Sequence, residues 1–85
     1  MTETLNNIKR DYPTFEFKDS LPWATNAVSC QNDLYYLTIH DYVELEVDRF
    51  AVVATEVNGP IHYVKRFSSV AGLRLYLTSV MVLGI

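Results

Sequence analysis

Five residues near the middle of the chain have side chains that could bind a metal ion: His40, Asp41, Glu44, Glu46 and His62. Imidazole nitrogens and carboxylate oxygens are common ligands of divalent cations. Metal ligands must converge on one point, and the spacing of these five residues matches no familiar motif. We therefore expect no metal site, and we keep a small metal-binding protein or enzyme using His40, His62 and the nearby acids as an alternative.

Cys30, the single cysteine, could act as a nucleophile with His40 or His62 as its base. The sequence contains no nucleophile elbow, and its three scattered glycines form no loop for an oxyanion or a phosphate. A lone cysteine in such a sequence is typical of a small buried hydrophobic residue. We expect no catalysis, no cofactor and no internal disulfide, which fits a cytoplasmic protein.

The charged residues are unevenly distributed along the 85 residues, whose net charge is −3. Residues 1–48 contain nine acids and three bases, whereas residues 49–85 contain one acid and four bases. Direct binding of nucleic acid is not expected, because the only basic pair outside the first predicted helix is Lys65-Arg66. Residues 70–85 are the most apolar stretch, but they fall short of the ~20 residues that cross a membrane and include Arg74.

The length and the 49% hydrophobic content predict one folded domain spanning residues 1–85. Leu5, Ile8 and Tyr12 recur at helical spacing, so we expect a short N-terminal helix capped by Thr2 or Thr4.

Two further segments complete the first third of the chain. Residues 14–18 alternate aromatic and charged side chains, as strands do. Residues 19–26 are predicted to form a loop, with Trp23 either covering the edge of the core or anchoring a partner.

Residues 27–67 are rich in Val, Ile, Tyr, Phe and Thr, which favours strands. Breaks are expected at four dipeptides: Asn32-Asp33, His40-Asp41, Asp48-Arg49 and Asn58-Gly59. The simplest fold is an α+β domain with an antiparallel meander sheet of four to five strands, a short N-terminal helix and a C-terminal helix on one face.

The last segment fits both a helix and a strand, and its length and opening serines favour a helix capped by Ser68 or Ser69. Such a helix aligns its apolar residues on one face: Val70, Leu73, Leu77, Val80 and Met81. Ile85, the last residue of the sequence, should pack on the sheet or join a dimer interface. This strand-then-helix ending resembles that of many small phage and mobile-element proteins.

Tight turns at the predicted breaks would make residues 42–47 a strand, with Val43, Leu45 and Val47 on the core face. The opposite face would align Glu46 with Ala51 and Arg66 in one row. A second row would align Leu37 with Glu44, Val53 and Val64. A third would align Ile39 with Tyr42, Thr55 and His62. The predicted binding surface is this mixed acidic and aromatic face: Tyr42, Glu44, Glu46, Val53, His62, Val64 and Arg66.

Eleven aromatic side chains are more than one small core readily hides, and tyrosine and tryptophan are common at interfaces. We therefore expect a small non-enzymatic module that binds another protein. An inhibitor from a phage or mobile element, directed at a host nucleic-acid-binding or defence protein such as a CRISPR–Cas or restriction enzyme, would fit this character. The other alternative is a homo-oligomeric structural subunit, with a dimer as its simplest form.

Overall fold

The computed structural model describes residues 2–20 and 26–84. These residues form two helices, a short 3-10 turn and five strands. In chain order they are α1 Glu3–Asp11, the turn Pro13–Phe15, β1 Lys18–Asp19, β2 Ala27–Gln31, β3 Tyr35–Asp41, β4 Phe50–Glu56, β5 Ile61–Phe67 and α2 Val70–Leu83. Each strand pairs antiparallel with the next, giving the sheet order β1-β2-β3-β4-β5. The predicted α+β meander is confirmed.

The core lies between one face of the sheet and the two helices. β3 contributes Leu37 and Ile39, and β4 contributes Phe50, Val52 and Ala54, all completely buried. The same cluster includes residues of both helices, of β2 and of the position just after α1: Leu5, Ile8, Leu73, Leu77, Val28, Cys30 and Tyr12. We call this the helix-covered face, and the other side of the sheet the second face.

Helix α1 begins and ends where the sequence indicates. The Thr2 hydroxyl accepts a hydrogen bond from the N–H of Leu5 at 3.3 Å, which caps the first turn. Leu5 and Ile8 are completely buried. The helix ends at Asp11, two residues before Pro13, which disfavours helical backbone in the residue preceding it.

The strand predicted for residues 14–18 is wrong except at its end. Pro13 instead starts a 3-10 turn that includes Phe15, and Glu16 follows it with a φ of +52°. After this turn the rings of Phe15 and Phe17 pack against each other, with their centroids 5.3 Å apart. Only Lys18–Asp19 pairs with β2.

Helix α2 resolves the ambiguity at the carboxyl end of the chain. The Ser69 hydroxyl accepts a hydrogen bond from the N–H of Gly72 at 3.1 Å, so the second of the two predicted caps is used. Leu73, Leu77 and Val80 are buried on the predicted face. Docking on the helix-covered face favours the helix over a sixth strand, because these three side chains complete the core.

The strand predicted for residues 42–47 is also wrong. Asp41 pairs directly with Phe50, and His40 pairs with Ala51, so residues 42–49 form the connection between β3 and β4. His40-Asp41 and Asp48-Arg49 each lack the glycine that a tight hairpin turn favours. The register that forms instead places Leu37 and Ile39 in the core, not on the mixed face that the sequence predicted.

The pairing of β4 with β5 agrees with the sequence prediction over most of its length. Ala51 faces Arg66 and Val53 faces Val64, as expected. The register then shifts by one residue, so that Thr55 faces Ile61 rather than His62.

The β4–β5 hairpin turns at the predicted Asn58-Gly59, and Asn58 takes a φ of +60°. A Cβ atom at residue 59 would lie 2.9 Å from a carboxylate oxygen of Glu56 and 3.0 Å from its Cβ, so a larger residue there would require the Glu56 side chain to shift. Residues 57–60 make a longer connection than the two-residue turn that the sequence suggests.

A buried carboxylate closes one end of the fold. Asp41 is 3% exposed and accepts hydrogen bonds from the Nε of Arg49 at 2.7 Å and from its Nη2 at 3.1 Å. The hydroxyl of Thr2, the α1 cap, donates to the same carboxylate at 2.7 Å. Asp41 therefore connects β3, the start of β4 and the start of α1.

Two expectations concern residues outside the described ranges, namely the roles of Trp23 and Ile85. No helix among the described residues is long and apolar enough to span a membrane.

Replacing Asp41 with alanine is expected to lower the free energy of unfolding by about 3 kcal/mol, because Arg49 and Thr2 both lose their buried acceptor. Urea denaturation measures the loss. The control is Asp19→Ala, which breaks an exposed pair with Lys9 (2.7 Å) and should cost less than about 1 kcal/mol. Equal losses in the two variants would contradict the proposed importance of Asp41.

Candidate protein-binding surface

The most conspicuous surface feature is the connection between β3 and β4. We call residues 42–48 the acidic loop. It alternates three exposed aliphatic residues with three exposed acids: Val43, Leu45, Val47, Glu44, Glu46 and Asp48. Val47 is 70% exposed, although a valine normally stays in the core.

Backbone hydrogen bonds hold the loop at both ends. The N–H of Tyr42 donates to the carbonyl of Arg49 at 2.8 Å, and the N–H of Leu45 donates to the carbonyl of Tyr42 at 2.9 Å. The N–H of Asp48 donates to the hydroxyl of Ser68 at 2.9 Å, which joins the loop to the connection between β5 and α2. The loop is thus a fixed projection rather than a free segment.

The Asp41–Arg49 ion pair lies directly beneath this loop. The hydrogen bond with Asp41 raises the pKa of the Arg49 guanidinium above its already high value, so the guanidinium stays charged across the ordinary pH range. The guanidinium also lies 4.8 Å from the centre of the Phe50 ring. These contacts keep Arg49 from neutralising the acids above it.

The second face of the sheet adjoins the loop, and the charged residues on its paired strands are Lys18 of β1 and Arg66 of β5, one at each edge. Its central rows contain small or uncharged residues of β2, β3 and β4: Ala27, Ser29, Thr38, His40, Ala51, Val53 and Thr55. Val64 and Arg66 of β5 extend two of these rows to the edge. Neither described helix packs against this face.

His40 joins the second face to the acidic loop. Its ring stacks on that of Tyr42, with centroids 6.0 Å apart and planes inclined by 11°. Burial of the imidazole lowers the pKa of His40, which favours the neutral ring at neutral pH. An uncharged His40 therefore lies beside the acids rather than offsetting their charge.

The structure brings the predicted binding residues together only in part. Val53, Val64 and Arg66 share the second face, as predicted. Tyr42, Glu44 and Glu46 lie in the loop and not in rows with them. His40 and Thr38 occupy the positions expected for the two glutamates. The error arises at the predicted turns, because a strand assigned to the wrong partner shifts every cross-strand neighbour.

The remaining predicted residue, His62, lies at the other end of the sheet. Its ring centroid is 5.0 Å from that of Tyr35, close to the β4–β5 hairpin. His62 therefore contacts neither the loop nor His40. Residues that the sequence assigned to the core instead face solvent in the loop: Val43, Leu45 and Val47.

Chemical activity gains no support from the arrangement of the reactive side chains. Within residues 2–20 and 26–84, no three His, Cys, Asp or Glu side chains are grouped so that they could hold a metal ion. Cys30 is buried in the core cluster, and burial raises the pKa of its thiol to about 11. A neutral thiol in an apolar setting is a poor nucleophile.

We found no match to this chain among protein-family models, curated proteins or solved structures.

Alkylation of Cys30 by iodoacetamide at about pH 8 should be at least tenfold slower in the folded protein than in urea, because only the thiolate reacts. Stability should also fall as the pH rises from 9 towards 11, since the folded state holds a proton that the unfolded state releases earlier. Mass spectrometry of timed samples measures the rate of alkylation. Similar alkylation rates in the two states would be inconsistent with a buried thiol.

His40 predicts a loss of stability in acid. Its folded-state pKa lies below 6.5, so the unfolded chain takes up a proton first and stability declines as the pH falls below that value. Urea midpoints between about pH 7.5 and about pH 5.5 should fall less steeply for His40→Gln than for the unmodified protein. Parallel declines would show that His40 does not contribute.

Proposed function

We propose that this protein is a non-enzymatic module that binds another protein through the acidic loop and the adjoining second face. The observation that carries the proposal is the exposure of three aliphatic side chains, Val43, Leu45 and Val47, on a loop held at both ends. Apolar side chains rimmed by charged ones are typical of protein interfaces.

The chemistry of the loop defines the partner's surface. Glu44, Glu46 and Asp48 alternate with the aliphatic side chains along the loop, and the neighbouring Arg49 is already engaged by Asp41. A complementary partner would therefore offer an apolar depression bordered by lysine or arginine. Basic surfaces of this kind occur on proteins that bind nucleic acids.

Inhibition of a phage-defence protein is the specific form of this function that we propose. The acidic loop would compete with nucleic acid for a basic surface on a CRISPR–Cas or restriction protein. The protein would then act by occupying that surface, without catalysis, metal or cofactor.

The double variant Glu44→Lys/Glu46→Lys is expected to lose its partner while keeping its free energy of unfolding within about 0.5 kcal/mol, because both side chains are exposed. The control is Glu16→Lys/Asp33→Lys, which reverses two exposed acids away from the loop. Both variants have the same net charge, −3 + 4 = +1. Affinity capture from cell extract with tagged proteins, followed by mass spectrometry, compares them.

A partner retained by the unmodified protein and the control, but not by the loop variant, would support the proposal. Equal retention by all three proteins would contradict it.

Self-association is the second candidate function, and the outer side of α2 favours it. Leu75 and Val82 are 72% and 76% exposed on a helix with Arg74 as its one charged residue. A homo-oligomeric subunit would bury these side chains between copies. Light scattering over a concentration series tests this candidate, since a mass that stays monomeric rules it out.

A further inference from the structure

The free edge of β5 provides a second surface, separate from the acidic loop. β5 is the last strand of the sheet and has seven residues, in contrast to the two residues of β1 at the opposite edge. Its only strand partner among the described residues is β4. A strand of this length with an unpaired side can accept an added strand.

The hydrogen-bonding pattern shows which groups of β5 face outwards. Along an antiparallel strand, every second residue directs its N–H and C=O groups to the same neighbouring strand. In β4, Glu56 directs its N–H to the carbonyl of Pro60, in the segment that leads into β5. Val52 has the same orientation as Glu56 and bonds to its partner Lys65. The residues on either side of Lys65, namely Val64 and Arg66, consequently direct their N–H and C=O groups to the free edge.

A groove runs alongside this edge, between β5 and α2. It has a volume of about 410 Å³, and its walls are mainly apolar and aromatic. β5 contributes Tyr63 and Lys65, and α2 contributes Tyr76, Val80 and Leu83. An extended peptide added to β5 would place alternate side chains in this groove.

The charge of this region selects an acidic occupant. Residues 57–85 contain three bases and no acid. Arg74 is bound to Asp11 at 2.7 Å, whereas none of the ion pairs among the described residues includes Lys65 or Arg66. The Lys65 ammonium instead lies 5.4 Å and 5.3 Å from the ring centres of Tyr63 and Tyr76, at the groove.

We propose that β5 and the β5–α2 groove bind an extended peptide segment of a partner protein in which aliphatic and acidic residues alternate. The peptide pairs with the outward backbone groups of Val64 and Arg66. Its aliphatic side chains enter the groove beside Lys65, and its carboxylates lie on the second face, where they contact Arg66. This site is independent of the acidic loop, so a partner can engage either surface alone.

A synthetic peptide with the sequence of residues 42–48, YVELEVD, acetylated and amidated, serves as the probe because it has the required alternation. A second peptide, with its three acids replaced by lysine, controls for charge. Backbone amide shifts in NMR spectra report the site of binding. We expect saturable shifts centred on His62, Val64 and Arg66 with the acidic peptide, which weaken at high salt, and none with the basic peptide.

Three variants separate backbone pairing from side-chain effects. Val64→Pro removes an N–H that faces the free edge and so leaves the β4–β5 ladder intact; it should weaken binding roughly tenfold. Val64→Ala retains the N–H and should bind within about threefold of the unmodified protein. Arg66→Glu should also bind roughly tenfold more weakly, and it tests the site even if the proline variant fails to fold.

Three results would overturn the proposal: no saturable binding of the acidic peptide, shifts centred outside β5 and α2, or unchanged affinity in the Arg66→Glu variant. Concentration-dependent shifts at the edge without peptide would identify a second copy of this chain as the occupant instead. Loss of partner in the Glu44→Lys/Glu46→Lys variant tests only the loop, so the two sites can fail separately.

Discussion

The carboxylate of Asp41 holds together three segments that meet at one end of the sheet. Asp41 is the last residue of β3. Its carboxylate pairs with Arg49 just before β4 and accepts a hydrogen bond from Thr2 at the start of α1. A buried carboxylate is costly unless its oxygens are well satisfied, and here three donor groups satisfy them. The ends of the acidic loop are therefore fixed by the same contacts that position α1 on the sheet.

This constraint explains why the loop is exposed. With Asp41 and Arg49 joined at the base, residues 42–48 must leave the sheet and return within a short distance. Their aliphatic side chains cannot reach the core, which Leu37, Ile39, Phe50 and Val52 already fill on the helix-covered face. The same alternation of aliphatic and acidic residues that resembles a strand in the sequence becomes a projecting apolar and acidic surface.

The free edge of β5 differs from the loop in both charge and form. The loop offers side chains at one end of the sheet, whereas β5 offers backbone groups along an edge beside Lys65 and Arg66. The acids of the loop and the bases of β5, which are far apart in the sequence, thus lie on separate surfaces. One surface suits a basic partner and the other an acidic one.

The fold could be predicted from the sequence where local signals agreed with each other. Helical spacing and a serine or threonine cap located both helices, and Asn58-Gly59 located the last hairpin closely enough to give most of the β4–β5 register. Periodicity also indicated that a C-terminal helix would cover the sheet.

The acidic loop could not be predicted in the same way. Periodicity alone does not distinguish a strand from a loop with alternating residues, and the burial of Asp41 depends on Thr2, 39 residues away in sequence. A weak signal was available: His40-Asp41 and Asp48-Arg49 are both poor tight turns, which argued against a strand between them. The 3-10 turn at Pro13 was missed for a similar reason, since alternation in residues 14–18 concealed the turn.

Amide hydrogen exchange of the acidic loop tests most directly whether residues 42–48 project from the sheet. If they do, the amides of Glu44, Glu46 and Val47 exchange rapidly, whereas those of Val52 and Ala54 in β4 are protected. Protection of Glu44, Glu46 and Val47 comparable with that of β4 would mean that the segment is a paired strand, and the loop surface would not exist.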